Sequence, residues 1–92
     1  MAIDFEWDAD KAEANRRKHG VSFPEATTVF GDPLTLTVPD PVHSGDEERL
    51  LTVGHSYQGR LLVVAHIDEG ETIRLISARL ATAAERRSYE QE

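Results

Sequence analysis

Ninety-two residues, 39% hydrophobic and 29% charged, can close one core and leave no room for a second. The absence of cysteine excludes disulfides and thiolate metal sites, and a formal charge of −7 argues against tight nonspecific binding of nucleic acid by the molecule as a whole. Met1-Ala2-Ile3-Asp4 lacks the basic and apolar regions of a secretory leader, and the longest apolar run, Leu61 to Ala65, is too short to span a bilayer. The expectation is a cytoplasmic, single-domain chain over residues 1–92 with no membrane partner.

Ile3, Phe5 and Trp7 alternate with Asp4 and Glu6, the period of a half-buried strand. Asp8 can cap a helix that runs to about His19 and stops at Gly20. Lys11, Asn15 and Lys18 share its polar stripe, beside a thin apolar one. Ser22-Phe23-Pro24-Glu25 reads as a capping box, opening a second helix through Phe30 that ends at Gly31-Asp32-Pro33. Leu34 to Val38 favours a strand, and Pro39, Pro41 and Gly45 mark a long loop carrying Asp40, Asp46 and Glu47. Arg49 to His55 is another strand, and Leu61 to Ile67, apolar on both faces, is a central one. Asp68-Glu69-Gly70 is a turn, Thr72 to Arg79 the last strand, and Thr82-Ala83-Ala84-Glu85 a capping box opening a helix through Tyr89. The order predicts an α+β fold: an N-terminal helix pair and a C-terminal helix packed on a mainly antiparallel sheet.

The basic residues are clustered. Lys11, Arg16, Arg17 and Lys18 lie in one segment and Arg74, Arg79, Arg86 and Arg87 in another, so local positive potential can exist on an acidic chain. The four histidines show no metal-ligand spacing, the glycines form no phosphate-cradling loop, and no metal or other cofactor is expected.

Three stretches together resemble the BrnT toxin family. The first is Phe5-Glu6-Trp7-Asp8 with Lys11, Asn15 and Lys18-His19-Gly20-Val21-Ser22-Phe23. The second is Asp32-Pro33 with Asp46-Glu47-Glu48-Arg49. The third is Ile73-Arg74-Leu75-Ile76-Ser77-Ala78-Arg79 with Ala81-Thr82, Glu85-Arg86 and Tyr89. The resemblance implies a RelE-like fold, ribonuclease activity, and a partner antitoxin of the BrnA kind with a ribbon-helix-helix DNA-binding part. An assembly of two toxins and two antitoxins is a further expectation from the resemblance. Members often carry a Thr-Glu-Arg-Gly type turn where this chain has Ile67-Asp68-Glu69-Gly70, so a basic residue is replaced by Glu69. The alternative is therefore a catalytically weakened module that binds an antitoxin or RNA.

Metal-independent cleavage of RNA needs a base for the 2′-hydroxyl, cations for the phosphorane and an acid for the leaving oxygen. His66 is the acid–base candidate, with a core-edge histidine as the plain structural alternative. Arg74 and Arg79 are candidate phosphate binders, or else the partners of an internal carboxylate such as Asp68 or Glu85. A three-residue loop, Asp68-Glu69-Gly70, puts His66 and Arg74 on one face; a two-residue loop, Glu69-Gly70, puts Ile73 beside His66. The first is expected, because it gives Gly70 the left-handed position. Trp7 and Tyr89 can stack on bases or simply pack, and Lys11 and Lys18 can hold the RNA backbone. Neither His43 nor His55 is expected in the site.

Overall fold

The computed structural model describes residues 3–44 and 48–91. The elements run β1 (Asp4–Glu6), α1 (Ala9–His19), α2 (Phe23–Thr27), a 3₁₀ turn (Thr28–Gly31), β2 (Leu36–Ser44), β3 (Glu48–His55), β4 (Leu61–Glu69), β5 (Thr72–Leu80) and α3 (Ala83–Glu90). The strands form one five-stranded sheet in the order β1-β5-β4-β3-β2. Only the β1–β5 pair is parallel, so the α+β, mainly antiparallel expectation describes the described residues well. No described helix is long and apolar enough to cross a membrane.

Local chemistry explains most element ends. The Asp8 carboxylate accepts from the backbone N–H of Asp10 and Lys11, and Gly20 closes α1 in the left-handed region at φ 70°. Thr82 and Glu85 form the complete reciprocal box at the start of α3. At Ser22 only half of the expected box exists. The Ser22 hydroxyl accepts from Glu25 N–H, but the Glu25 carboxylate turns inward to Ser56 and Arg60. That buried contact ties α2 to the β3–β4 turn, and Arg60 also donates to Gly20 O at 3.1 Å. The second helix is correspondingly short, giving way to the 3₁₀ turn at Thr28 rather than running through Phe30.

Two strand expectations change. β2 continues through Pro39 and Pro41 to Ser44 instead of ending at Val38. It is the sheet edge, where a missing N–H costs no ladder bond, and its register with β3 shifts between Pro39 and Ser44. Gly45, Asp46 and Glu47, expected in a long loop and in the family pattern, lie outside the described residues.

The second change decides the site. β4 and β5 are joined by the two residues Gly70-Glu71, with Glu69 opposite Thr72. Gly70 takes φ 67° at the first turn position while no described non-glycine residue has positive φ, the pattern of a type II′ turn. Both loops considered from sequence are thereby displaced. Ile67 faces Arg74 and His66 faces Leu75, so His66 and Arg74 project from opposite faces of the sheet. A bulge follows, with Ala65 opposite Ser77 and Ile76 as the extra residue.

One face of the sheet carries the core. Val21, Phe23, Ala26 and Val29 pack on Leu62, Val64, Ile73, Leu75 and Ala78, with Phe5, Trp7 and Phe30 at the margin. Gly54 sits under this layer; a Cβ there would lie 2.6 Å from Thr35 Cγ2, so the chain after the 3₁₀ turn can approach β3 only over glycine. Asn15 joins α1 to the edge of β5. Its Nδ2 donates to Ala78 O (2.8 Å) and Val21 O (3.0 Å), and its Oδ1 accepts from Ala78 N–H (3.0 Å). The side-chain amide thus takes the place of a neighbouring strand where β1 has ended. α3 crosses the other, outer face, over Leu36, Val38 and Val53.

Candidate functional site

The outer face holds the cations. Alternation from the observed register puts Arg49 of β3, Ile67 of β4 and Arg74 of β5 on that side, one residue out of phase with Leu50, His66 and Leu75. With Asp8 and Lys11 from the start of α1 they line a polar groove of about 310 Å³. Ile67 is buried at its floor. The Asp8 carboxylate is engaged by its own helix, and among the described residues Arg49, Arg74 and Lys11 are the cations that line the space. Arg74 lies 3.7 Å from the Glu69 carboxylate, neither Asp68 nor Glu85 being its partner in this ion pair. From sequence Arg49 stood at a strand start and in the family pattern but not among the site residues; its odd offset from Leu50 and Thr52 was the signal that it faces away from the core.

Arg79 shares that face but not the groove. Both its terminal nitrogens bond Glu85, each at 2.8 Å, and Glu85 also closes the cap of α3. The Arg79 fork holds the Glu85 carboxyl down to about 2. Arg79 therefore fastens α3 to β5, which is the internal-carboxylate alternative named above.

His66 is on the core face, 2% exposed, with its ring edge against Phe30 at a centroid distance of 5.0 Å. Nδ1 lies 2.8 Å from Asp68 Oδ1 and Nε2 2.7 Å from Thr52 Oγ1. A carboxylate only accepts, which places a proton on Nδ1; the Thr52 hydroxyl links Nε2 to Thr37 Oγ1, 2.8 Å away. The expectation that His66 meets Arg74 over one open surface is corrected: the hairpin register turns the imidazole inward, where all its hydrogen bonds are internal.

Trp7 also lies on the core side, edge-on to Phe23 at 5.8 Å. Tyr89 is buried and its hydroxyl donates to Asp32 Oδ2 at 2.7 Å. Asp32 accepts from the backbone of His55 and Leu34 as well, and these bonds lower its carboxyl to about 2. Burial first and Asp32 second push the Tyr89 phenol up to about 12. His55, passed over in the sequence, borders this cluster, with Nδ1 3.3 Å from Tyr89 Oη. Trp7 is half-buried at the margin of the core, and Tyr89 is buried under its own contacts. Lys11 and Lys18 do share the side of α1 that borders β5. Among the described residues no three His, Asp or Glu side chains gather as a metal site would require.

A family model described as ribonuclease toxin, BrnT, of a type II toxin–antitoxin system matches residues 7–85. Among solved structures, the chain is similar to the 1.1 Å crystal structure of the Brucella abortus ribonuclease toxin BrnT, with a TM-score of 0.68 and 21% identity. The match covers 88% of this chain and 99% of that one, and at this identity it speaks for the fold. No curated protein matches the sequence.

Proposed function

The chain belongs to the BrnT family of ribonuclease toxins of type II toxin–antitoxin systems, and from that premise we propose that it cuts RNA on the outer face of its sheet, between Arg49, Arg74 and Lys11. The observation that carries this reading is the meeting of three cations from β3, β5 and α1 over the Ile67 floor. A phosphodiester brings one negative charge, which rises as the 2′-oxygen attacks, and guanidinium forks suit the phosphorane oxygens. As the new P–O bond forms and the bond to the 5′-oxygen breaks, Glu69 takes the 2′-hydroxyl proton and Lys11 protonates the leaving oxygen. No metal enters this scheme. His66 has no part in it, being nearly inaccessible on the other face.

Membership in the family entails an antitoxin partner. The proposal extends to a BrnA-like ribbon-helix-helix antitoxin, in an assembly of two toxins and two antitoxins, that silences the enzyme by covering the groove.

Induction in a bacterial host without the antitoxin arrests growth, and Arg74→Ala or Lys11→Ala relieves the arrest. Purified protein cuts RNA in EDTA. Cleavage that needs added metal, or that survives both substitutions, overturns the assignment. The Glu69–Arg74 pair also favours a second reading, a weakened module in which Glu69 competes with phosphate for Arg74. Glu69→Gln separates the two: it abolishes cleavage if Glu69 is the base, and raises RNA affinity and cleavage if Glu69 is the competitor.

A further inference from the structure

Resting on the groove assignment above, we infer that the seam between α1 and β5 is a second phosphate subsite, built by Lys18, His19 and Ser77, which holds the RNA strand beyond the nucleotide being cut. Two hollows lie along this seam. The first is the groove of Arg49, Arg74 and Lys11; the second, of about 220 Å³, has Lys18, His19 and Ser77 in its walls. They share Lys11 and Ile76, so a chain lying in one leads into the other. Among the described residues no carboxylate lines the second hollow; of those at the first, Asp8 accepts from its own helix and Glu69 lies 3.7 Å from Arg74. A continuous basic strip therefore runs along one side of an acidic molecule.

The spacing asks for a polymer. Lys11 and Lys18 are two turns apart on one side of α1, about 10 Å along its axis, farther than a single phosphate can bridge. Ile76, the bulge residue between the hollows, is half-buried and offers an apolar surface to a base, while the Ser77 hydroxyl can donate to a phosphate oxygen. The carbonyl end of a helix repels anions, and here the last turn sets Lys18 against that field, beside Arg16 and Arg17, which are paired with Glu13. Asn15 is the positioning residue of this site. Its buried amide, bonded to Val21 and Ala78, seats α1 against β5 so that the lysines stand at a set distance from the strand before RNA arrives.

The test uses binding of non-cleavable 2′-O-methyl oligoribonucleotides, a dimer and a hexamer, to the whole protein. In the wild type the hexamer binds more tightly. Lys18→Ala shrinks that advantage roughly fivefold, the worth of one exposed charge contact, and lowers the salt slope of hexamer binding by about 0.7. Lys18→Arg restores both. Lys18 is exposed, so folding is not at stake. A hexamer advantage and a salt slope that stay at wild-type values in Lys18→Ala, and in the double variant with Ser77→Ala, overturn the subsite. Probes indifferent to both Arg74→Ala and Lys11→Ala overturn the groove itself, and the subsite with it.

Discussion

Asn15 satisfies three backbone bonds with one side chain; only Gln has the same planar donor pair and acceptor, on a stem one methylene longer. Asn15→Ala leaves Ala78 N–H and two carbonyls without partners in the interior and lowers stability by about 3 kcal/mol, read as a lower urea midpoint. Asn15→Asp does no better, because a carboxylate would face two carbonyl oxygens. His66 and Arg74 make the sharper pair of tests. His66→Ala empties a buried space and strips Thr52 and Asp68 of their bonds, so it costs about 2–4 kcal/mol while RNA affinity measured on folded protein stays near wild type. Arg74→Ala does the reverse, weakening RNA and moving the urea midpoint little. Equal losses of RNA binding in both variants would contradict the opposed faces of the hairpin. An arginine in an aliphatic strand was legible in the sequence as a residue with a purpose. Which face it takes relative to His66 was not, since that depends on one residue of register.

At the scale of elements, α3 is held by ionisable contacts, with Tyr89 its one buried residue. Asp32 and Glu85 fall to about 2 from ordinary values of 3.8 and 4.5. Folded-state values below the unfolded ones mean stability that is complete above about pH 4.5 and lost as pH falls toward about 2. Tyr89 has the opposite sense: raised from 10.0 to about 12, it contributes fully below pH 10 and loses its contribution as pH climbs from 10 to about 12. Urea midpoints across pH therefore drop at both extremes. Asp32→Asn and Glu85→Gln flatten the acid limb, and Tyr89→Phe flattens the alkaline one; unchanged limbs would show that α3 is held by other means. The complete cap at Thr82 was readable because both partners lie within four residues. The half-made one at Ser22 was not, because Glu25 bonds residues 31 and 35 positions away. β2 was cut short for the same kind of reason: proline forbids a central strand but not an edge, and edge status belongs to the sheet.

Over the whole molecule, a formal charge of −7 coexists with a basic seam on one side. Such an arrangement steers RNA locally while the rest of the surface repels it, so weak nonspecific binding and a steep response to salt are expected together. On the proposed assignment the groove is also the surface an inhibitor must close. Antitoxin added at equal concentration stops cleavage and displaces a bound hexamer, and Arg74→Ala weakens both partners. Inhibition with the hexamer still bound would locate the antitoxin on another face.

The kinds and order of the elements, their caps at Asp8, Gly20 and Thr82, and the family pattern all rest on neighbours within a few residues, so the chain determined them without help from the fold. The pairing of β4 with β5 is different. Gly70 can end a three-residue loop or begin a two-residue turn, and nothing local separates the two. Packing made the choice, by seating the His66 imidazole against Phe30 and between Thr52 and Asp68, and a side-chain period of two then sent Arg74 to the other side, where Arg49 and Lys11 wait.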